Sequence, residues 1–439
     1  MAKSDKIIEL YEWMERNKIQ YSKVDSDVID IPGFGKAYFQ DTQRSTYNSI
    51  FRKDVDGNFI FNSLVRPEEL LNDGIENIIF KFGDNFYYHN LKQDFKLNIL
   101  KYVGERTPLK HDIPFVNLGV HTPFELLNGS FMPEEWISKA KYLGHTALGV
   151  CDYNTMAACF VFQKECDAAG IKPVFGYSLT VEAEGFSFGA KVYVQTQRGF
   201  RNLLRIQKAI MVDNVENKTI DISELLNRAE GNVLVLDKYA PTSFVENESV
   251  VATLTKAFDN IYYQVDLSEY KAERIDIKVL EATKKYFHEW YDNLSMPRPV
   301  LLSDAYYLDA DDAKNKIILN KVAEGAAHEQ SNDQYFKDAD EHYALFEALF
   351  GEDWNIEELF RECAENTFAI ANNAKGRMDT TRNYMPKYDM TPEELEKYGT
   401  THNMFNQLLE EGLQRLAPKD KIEPVSYTHL RAHETDSYL

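Results

Sequence analysis

The spacing of hydrophobic residues along the chain changes twice, and these changes predict three structural regions. Residues 1–112 combine one amphipathic helix with short paired strands, and residues 113–310 alternate apolar strands with helices. Residues 311–424 follow an almost wholly helical pattern, whereas residues 425–439 fit none of these patterns. We therefore predict a small α+β domain, a larger α/β domain and a helical segment, followed by a short tail.

The first region is predicted to begin with a helix. Its buried face is formed by Ile7, Leu10, Tyr11 and Met14. Turn residues at 56–58 and 83–85 predict two β-hairpins, and Pro67 opens a short helix between them. His89 and His111 stand alone in sequence and are expected not to bind metal. No catalytic cluster is visible in residues 1–112, whose role the sequence leaves open.

The second region alternates strands and helices in a β/α order. Strands are predicted at 115–120, 147–150, 173–175, 192–195, 233–236, 261–265 and 300–302. Pro133 suits the first turn of one helix, and Gly170 ends another that begins near residue 155. Single helices between strands imply parallel pairing. Because no glycine-rich phosphate loop follows a strand, an irregular β/α barrel is favoured over a doubly wound sheet.

The third region contains two clear helices, at 364–371 and 404–416, with an extended connector at 384–388. The acidic run that begins at Asp309 is interpreted as the start of a helix. The tail resembles translated sequencing-adapter read-through. Its i,i+4 pair, His429 and His433, is therefore excluded from consideration as a metal site.

Composition and charge narrow the functional classes. Apolar residues make up 44% of the 439 residues, which is enough for real cores, and the formal net charge is −21. No dense Lys/Arg stretch interrupts this acidity, which argues against a main nucleic-acid-binding surface. The cysteines lack metal-site spacing and are predicted to be reduced and buried. We expect a cytoplasmic protein, because the sequence shows neither a signal peptide nor an apolar run of about 20 residues.

The motifs of the second and third regions keep the order of one known family. Residues 115–129 resemble the opening strand and loop of a PHP (polymerase and histidinol phosphatase) domain. In that family the segment has the approximate sequence His-Leu-His-Val-His-Ser-x-x-Ser-Leu-Leu-Asp-Gly. Residues 148–156, 169–176, 199–203 and 302–308 resemble later family motifs. Further matches lie at 335–337, 365–367, 384–387 and 410–413. Together they resemble the N-terminal part of the bacterial replicative DNA polymerase III alpha subunits.

The resemblance implies a PHP metal site from which most ligands are missing. Ligand types of the family remain at His121, Asp152 and Asp304. The other positions of this degenerate cleft carry Asn117, Gly119, Tyr153, Ser178 and Tyr306. Two or three metal ions need several converging imidazoles and carboxylates. Zn²⁺ or Mn²⁺ is therefore not expected here, although the three remaining ligands could in principle hold one ion.

The resemblance also implies a polymerase palm that this sequence does not contain. The family's Pro-Asp-x-Asp-x-Asp segment would bind two Mg²⁺ ions, and neither it nor its glycine-rich loop is found. We expect no catalytic residues and no cofactor in this chain, which is interpreted as a fragment. In the full-length parent, DNA and replisome subunits are the implied partners, with a proofreading exonuclease as a further candidate and no membrane.

Three functional hypotheses follow. The first is a fragment of a DNA-synthesising alpha subunit whose PHP barrel acts as a scaffold. The second is a metal-dependent phosphoesterase or 3′→5′ exonuclease in the barrel. The third is a non-enzymatic module in which residues 1–112 bind a replication partner.

Overall fold

The structure is a computed structural model that divides into two compact units, Met1–Met378 and Asp379–Leu439. It describes residues 5–40, 51–53, 59–61, 66–83, 85–93, 98–106, 108–183, 185–240, 248–269, 277–289, 296–324, 333–352, 354–380 and 388–416. The tail at 425–439, with His429 and His433, lies outside these residues, as does most of the predicted connector at 384–388. No helix among the described residues is long and apolar enough to cross a membrane.

The N-terminal region is a helix packed on a six-stranded sheet. Helix α1 (Asp5–Arg16) buries the predicted face, including Ile7, Leu10 and Met14. The sheet order is β1-β2-β3-β6-β7-β8, and its pairs are antiparallel except for β3 with β6. Its strands are β1 (Ser22–Lys23), β2 (Val28–Ile31), β3 (Gly35–Phe39), β6 (Asn77–Phe82), β7 (Asn85–Asn90) and β8 (Asn98–Ile99).

Both predicted hairpins have paired strands. β6 and β7 form the hairpin expected around residues 83–85. A separate pair, β4 (Phe51–Lys53) and β5 (Phe59–Phe61), flanks the turn predicted at 56–58, which itself lies outside the described residues. The short helix is α2 (Pro67–Asn72).

Polar contacts join the N-terminal region to the region that follows. The Tyr102 hydroxyl donates to Asp309 Oδ2 at 2.6 Å, and Arg106 Nη1 donates to the Leu143 carbonyl at 2.6 Å. The backbone N–H of His111 donates to Asp340, and its ring stacks on Tyr343 with centroids 3.9 Å apart. These contacts indicate that His111 has a structural role between the two regions.

The second region is an irregular β/α barrel, which confirms the predicted fold class. The main sheet has the order β12-β10-β11-β13-β14-β15, and β9 pairs with β10. Val120 forms single bridges to Val150 and Ala305, so it joins the β9 side of the sheet to the β15 side. The strands are β9 (Ala147–Val150), β10 (Lys172–Ala183), β11 (Phe186–Val194), β12 (Ile220–Asp221), β13 (Asn232–Leu236), β14 (Ile261–Val265) and β15 (Arg298–Leu301).

The expectation of uniformly parallel strands is wrong at β10 and β11. These strands are much longer than predicted and pair antiparallel along Gly176–Ala183, and β11 is also antiparallel to β13. They form a hairpin with no helix between them, so no crossover is needed. The remaining pairs in the barrel, including β13 with β14 and β14 with β15, are parallel.

The predicted strand at 115–120 is extended but not a regular strand. The Asn117 side chain accepts the Gly119 N–H at 3.1 Å, and the Val116 N–H donates to Thr367 Oγ1 at 2.8 Å. Side chains thus take backbone groups that a sheet ladder would use. The backbone pairing that remains consists of the two bridges at Val120 and of hydrogen bonds such as those from the Gly149 N–H to the Asn117 carbonyl and from the Ala305 N–H to the Gly119 carbonyl, both at 2.8 Å.

Helices surround the barrel and cover one end of it. Strand alternation separates an interior cluster, which includes Val233 and Val235, from an outer cluster that includes Leu234 and Leu236. Ile370 and Ala371, near the end of a long helix, belong to the interior cluster. The helices of this unit are α3 (Pro133–Tyr142), α4 (Cys159–Ala169), α5 (Gln197–Lys208), α6 (Ile222–Leu226), α7 (Glu248–Ala257), α8 (Ile277–Glu289), α9 (Ala313–Glu324), α10 (Ala339–Phe350) and α11 (Ile356–Asn373).

Several local predictions are confirmed. Gly170 ends α4 with φ at 72°, a left-handed conformation that glycine adopts without strain. Asp309 lies at the N-cap of the turn Ala310–Asp312, as its acidic run predicts. All four cysteines are free and buried. In the second unit, α12 (Pro392–Tyr398) precedes α13 (Thr401–Leu416), the predicted last helix.

Candidate functional site

The candidate site is a cleft of about 280 Å³ at one mouth of the barrel. His121 follows the bridging residue Val120, Asp152 follows β9, and Asp304 follows β15. These three predicted positions are therefore brought to the same mouth by neighbouring strand ends. Lys191, on β11, also lines the cleft.

His121 is held between two carboxylates. Its Nδ1 lies 2.6 Å from Glu125 Oε2, and its Nε2 lies 2.9 Å from Asp304 Oδ1. The ring is 2% exposed, so water does not compete for either nitrogen. A neutral imidazole carries one N–H, whereas both nitrogens donate only in the imidazolium form. The arrangement therefore favours a protonated ring.

Lys191 supplies a second cation to the same site. Its Nζ lies 3.2 Å from Asp304 Oδ1, and its side chain is 6% exposed. Lys191 shares its strand face with the interior residue Tyr193, two positions further on. Asp304 Oδ2 also accepts a hydrogen bond from Gln264 Nε2 at 3.0 Å. Asp304 thus has hydrogen-bonding or ionic partners at both oxygens.

Asp152 and Glu125 are occupied in similar ways. Asp152 accepts the Thr122 backbone N–H at 2.6 Å and the Thr122 hydroxyl at 2.7 Å. Glu125 accepts the Tyr153 N–H at 2.8 Å and a hydrogen bond from the Asn128 amide. Both carboxylates therefore position backbone at the mouth of the barrel.

The pKa shifts agree with this network. Burial alone would lower the pKa of His121, but the carboxylates of Glu125 and Asp304 raise it to about 10. Burial would raise the pKa of Asp304, but Lys191 and His121 lower it below its usual range. The same opposition lowers the pKa of Glu125 and raises that of Lys191. Asp152 differs, because burial dominates and raises its pKa to about 7.

Two positions of the degenerate cleft leave no room for further ligands. The Asn117 side chain is buried and turned to the Gly119 backbone N–H. A Cβ atom at Gly119 would lie 2.3 Å from the Ser303 carbonyl oxygen. Because that neighbour is backbone, it cannot swing aside as a side chain could. The Ser303 carbonyl therefore lies where a side chain at 119 would begin.

The other three positions of the cleft are polar or aromatic. The Tyr153 hydroxyl bonds to Thr180 Oγ1 at 2.9 Å, and its side chain is partly exposed. Ser178 forms a bridge with Tyr153 in the strand pairing. Tyr306 stacks on His121 with ring centroids 4.3 Å apart. These residues contact the site without adding an imidazole or a carboxylate.

The mouth of the barrel offers few side chains that could bind a metal ion. Among the described residues, one group of three side chains converges with ligand atoms within 4.8 Å of one another, namely His121, Glu125 and Asp152. Two or three ions require more donors than this group supplies. These side chains also hold hydrogen bonds to each other or to nearby backbone. The arrangement does not fit a multinuclear metal centre.

Two residues of the site were missed by the sequence analysis. Glu125 lies four positions after His121, but that spacing indicates a shared face only on a helix, and this segment is a loop. Lys191 lies in an alternating strand whose inward face cannot be identified without its register. Neither residue carries a signal that distinguishes it from an ordinary surface charge.

Comparisons with known proteins agree with the fold and the motifs. The PHP domain family matches residues 117–296. DNA polymerase III subunit alpha of Aquifex aeolicus is 23% identical over 318 residues, covering 65% of this chain and 26% of the relative. The Borreliella burgdorferi subunit is 23% identical over 328 residues, covering 68% and 27%. The Staphylococcus epidermidis subunit is 25% identical over 233 residues, covering 53% and 19%.

A solved structure gives a weaker likeness. A proposed metal-dependent phosphoesterase from Bifidobacterium adolescentis superposes with a TM-score of 0.30 at 11% identity, covering 55% of this chain and 98% of that one. This superposition is too loose to carry an argument. The chain spans about a fifth to a quarter of the length of the polymerase subunits above. Residues 117–296 thus match the PHP domain family, and the chain is similar to the DNA polymerase III alpha subunits over 53–68% of its length.

Proposed function

We propose that the barrel mouth is a metal-free scaffold held together by its own ion pairs. The observation that carries this proposal is the position of Lys191, whose ammonium group lies 3.2 Å from the Asp304 carboxylate. Asp304 is one of the three residues, with His121 and Asp152, at which the family resemblance implies a metal ligand of the usual type. A protein cation therefore neutralises a carboxylate that would otherwise be available to a metal ion.

The charges of the network formed by His121, Glu125, Lys191 and Asp304 balance without an added ion. Asp237 and Lys238 line the same cleft and lie outside this network. Lys191 and the doubly bonded His121 contribute two positive charges, and Glu125 and Asp304 contribute two negative charges. Buried charges are tolerated when they are paired and hydrogen-bonded. A divalent ion would have to displace Lys191 or deprotonate His121, and both changes cost free energy in a buried site.

Within a larger protein, this scaffold would support DNA synthesis carried out elsewhere. The relatives are named DNA polymerase III subunit alpha, and their greater length is compatible with a separate polymerase centre that uses Mg²⁺. DNA and replisome subunits are the proposed partners, and a proofreading exonuclease is a further candidate. Because the sequence lacks the palm carboxylate motif, this 439-residue chain should not extend a primer.

Hydrolysis of a phosphodiester tests the proposal. The wild-type chain and the His121→Ala variant would be incubated with single-stranded DNA and either Mn²⁺ or Zn²⁺. The scaffold reading expects the same background in both proteins. Cleavage by the wild type that disappears in His121→Ala would overturn it.

One observation favours a second candidate, a metal-dependent phosphoesterase. His121, Glu125 and Asp152 converge closely enough to bind one ion, and all three are buried. A single ion could activate water, as in other metal-assisted hydrolyses. Lys191 would then orient an anionic substrate. Hydrolysis that requires both His121 and Lys191 would favour this candidate over the scaffold.

A further inference from the structure

Helix α5 carries an exposed row of cations. Its buried residues, Phe200, Leu203 and Ile206, pack on the barrel. The opposite side displays Arg198, Arg201, Arg205 and Lys208. Their spacings of three, four and three residues place the four side chains on one helix face.

A second segment brings more cations to the first turn of α5. The Lys375 N–H donates to the Gln195 carbonyl at 2.8 Å, and the Arg377 N–H donates to Gln197 Oε1 at 3.0 Å. Between them, Gly376 packs so closely that a Cβ there would lie 2.9 Å from the Thr196 carbonyl oxygen. The segment is therefore fixed beside the helix.

Lys172 completes this surface. Its Nζ donates to the Asn372 carbonyl at 2.9 Å. Its pKa is lowered by burial and by the positive charges of Lys375 and Arg377, which shows that the three cations are near neighbours. We call the whole surface the basic face. It consists of Lys172, Arg198, Arg201, Arg205, Lys208, Lys375 and Arg377.

Acidic neighbours only partly neutralise the basic face. Glu230 pairs with Arg198 at 2.8 Å, Asp213 pairs with Lys208 at 2.6 Å, and Asp167 pairs with Arg377. Among the described residues, these ion pairs engage three of the seven cations. The pairs are exposed to solvent, which weakens them, so a polyanion can replace them. Arg201 and Arg205 have no ion-pair partner within the part of the chain that the structure describes.

We propose that the basic face binds the phosphate backbone of duplex DNA. From Arg198 to Lys208 the helix rises about 15 Å, which matches roughly four phosphates at about 3.4 Å of axis per nucleotide in one strand. Four of the seven side chains are arginines, which bind phosphate oxygens in a bidentate manner. The acidity of the rest of the chain would direct DNA to this surface.

The chemistry of the face favours a duplex backbone over other polyanions. The aromatic residue of α5, Phe200, is buried, so the helix offers no platform for stacking the bases of a single strand. Leu204 is exposed between its arginines, and Val212 and Val215 are exposed beyond Lys208. Three aliphatic side chains with no exposed aromatic residue among them are little for insertion into a membrane. The choice of DNA rests on the proposed function in a polymerase-type protein, but the surface is separate from the barrel mouth.

Fluorescence anisotropy with a labelled duplex of mixed sequence tests the proposal on the whole 439-residue chain. At roughly 0.1 M salt, Arg201→Glu/Arg205→Glu should weaken binding at least tenfold, and the salt slope should fall by about 2. Arg201→Gln/Arg205→Gln should weaken binding less, in the same direction. Circular dichroism would verify that each variant is folded.

A matched control separates this surface from net charge. Arg361→Glu/Lys141→Glu reverses the same number of charges at exposed positions outside the basic face and should bind duplex DNA like the wild type. Equal binding by the wild type and the basic-face variant would overturn the proposal. Tighter binding to phosphatidylserine vesicles than to DNA would also overturn it, in favour of a membrane. Neither outcome depends on the metal content of the barrel.

Discussion

At the level of single residues, the contacts of His121, Asp304, Lys191 and Gly119 explain how the barrel mouth is stabilised. His121 and Asp304 keep the residue types of a metal centre, yet each pairs with a charged neighbour at 2.6–3.2 Å. Lys191 lies beside Asp304 as a fixed cation, and the Ser303 backbone approaches Gly119. Close packing and ion pairing therefore stabilise these residues at the mouth of the barrel.

Adding one methyl group at Gly119 should be destabilising. In Gly119→Ala, the new Cβ would meet the Ser303 carbonyl oxygen at 2.3 Å, and overpacking of this kind costs about 1–3 kcal/mol. The matched control is Gly412→Ala on α13, where a Cβ meets no atom within 4 Å. That change should be neutral or stabilising by up to about 1 kcal/mol. Urea unfolding measures both, and equal stability of the two variants would contradict the close packing.

Removing the buried cation should expose the cost of an unpaired carboxylate. Lys191→Met should lower the free energy of unfolding by about 3–5 kcal/mol, because Asp304 keeps its charge but loses a partner. Lys191→Met/Asp304→Asn should recover part of this loss. Lys208→Met, which breaks an exposed pair with Asp213, should cost less than about 1 kcal/mol. A loss at Lys191 no greater than at Lys208 would argue against the ion-paired site.

His145 predicts a stability change in mild acid. Burial lowers the pKa of His145, and the hydrogen bond to the Phe115 carbonyl raises it. Burial is the larger effect, so the pKa falls from 6.5 to about 4. Between these two pH values His145 is protonated in the unfolded chain but neutral in the folded chain. The contribution of His145 to the free energy of unfolding therefore falls by about 1–3 kcal/mol as pH falls from 6.5 towards 4. In His145→Gln this contribution should vanish. His402→Gln, at an exposed position, should keep the wild-type pH profile.

At the scale of elements, the sequence predicted most of the structure. Amphipathic and alternating patterns located α1, α3, β9, β13 and β14 within a few residues. They missed the full length of β10 and β11, because interior and exterior residues of these strands are both largely apolar. They also overstated a strand at 115–120. Thr367, from a distant helix, takes the Val116 N–H, and the Asn117 side chain takes the Gly119 N–H within the segment itself.

The contact between α11 and residue 116 gives a prediction for these elements. Thr367 Oγ1 accepts the buried Val116 N–H at 2.8 Å and donates to the Ala364 carbonyl at 2.6 Å. Thr367→Val keeps the shape but leaves the N–H unpaired, which should cost about 1–3 kcal/mol. Thr253→Val on α7, where the hydroxyl bonds only to the exposed Ser249 carbonyl, is the control and should cost less. Chemical denaturation of both variants measures the two losses in the free energy of unfolding, and equal losses would argue against the Thr367 contact.

At the scale of the whole molecule, charge is distributed unevenly. A net charge of −21 suggested that no main nucleic-acid-binding surface was present, because the cations are dispersed in sequence. Folding gathers seven of them on α5, β10 and the segment 375–377. The periodic spacing on α5 was visible in the sequence, but its union with Lys375 and Arg377 depended on the fold. The proposed binding of DNA to the basic face uses this uneven distribution, because the acidic remainder of the chain repels polyanions and the basic face attracts them.

Counting bound ions shows whether the barrel mouth needs a metal. The wild-type chain and His121→Ala would be incubated with excess Zn²⁺ or Mn²⁺, dialysed, and measured by elemental analysis. The ion-paired scaffold predicts well below one ion per chain in both proteins, and a melting temperature that a chelator does not change. One or more tightly held ions per wild-type chain, lost in His121→Ala, would contradict the account.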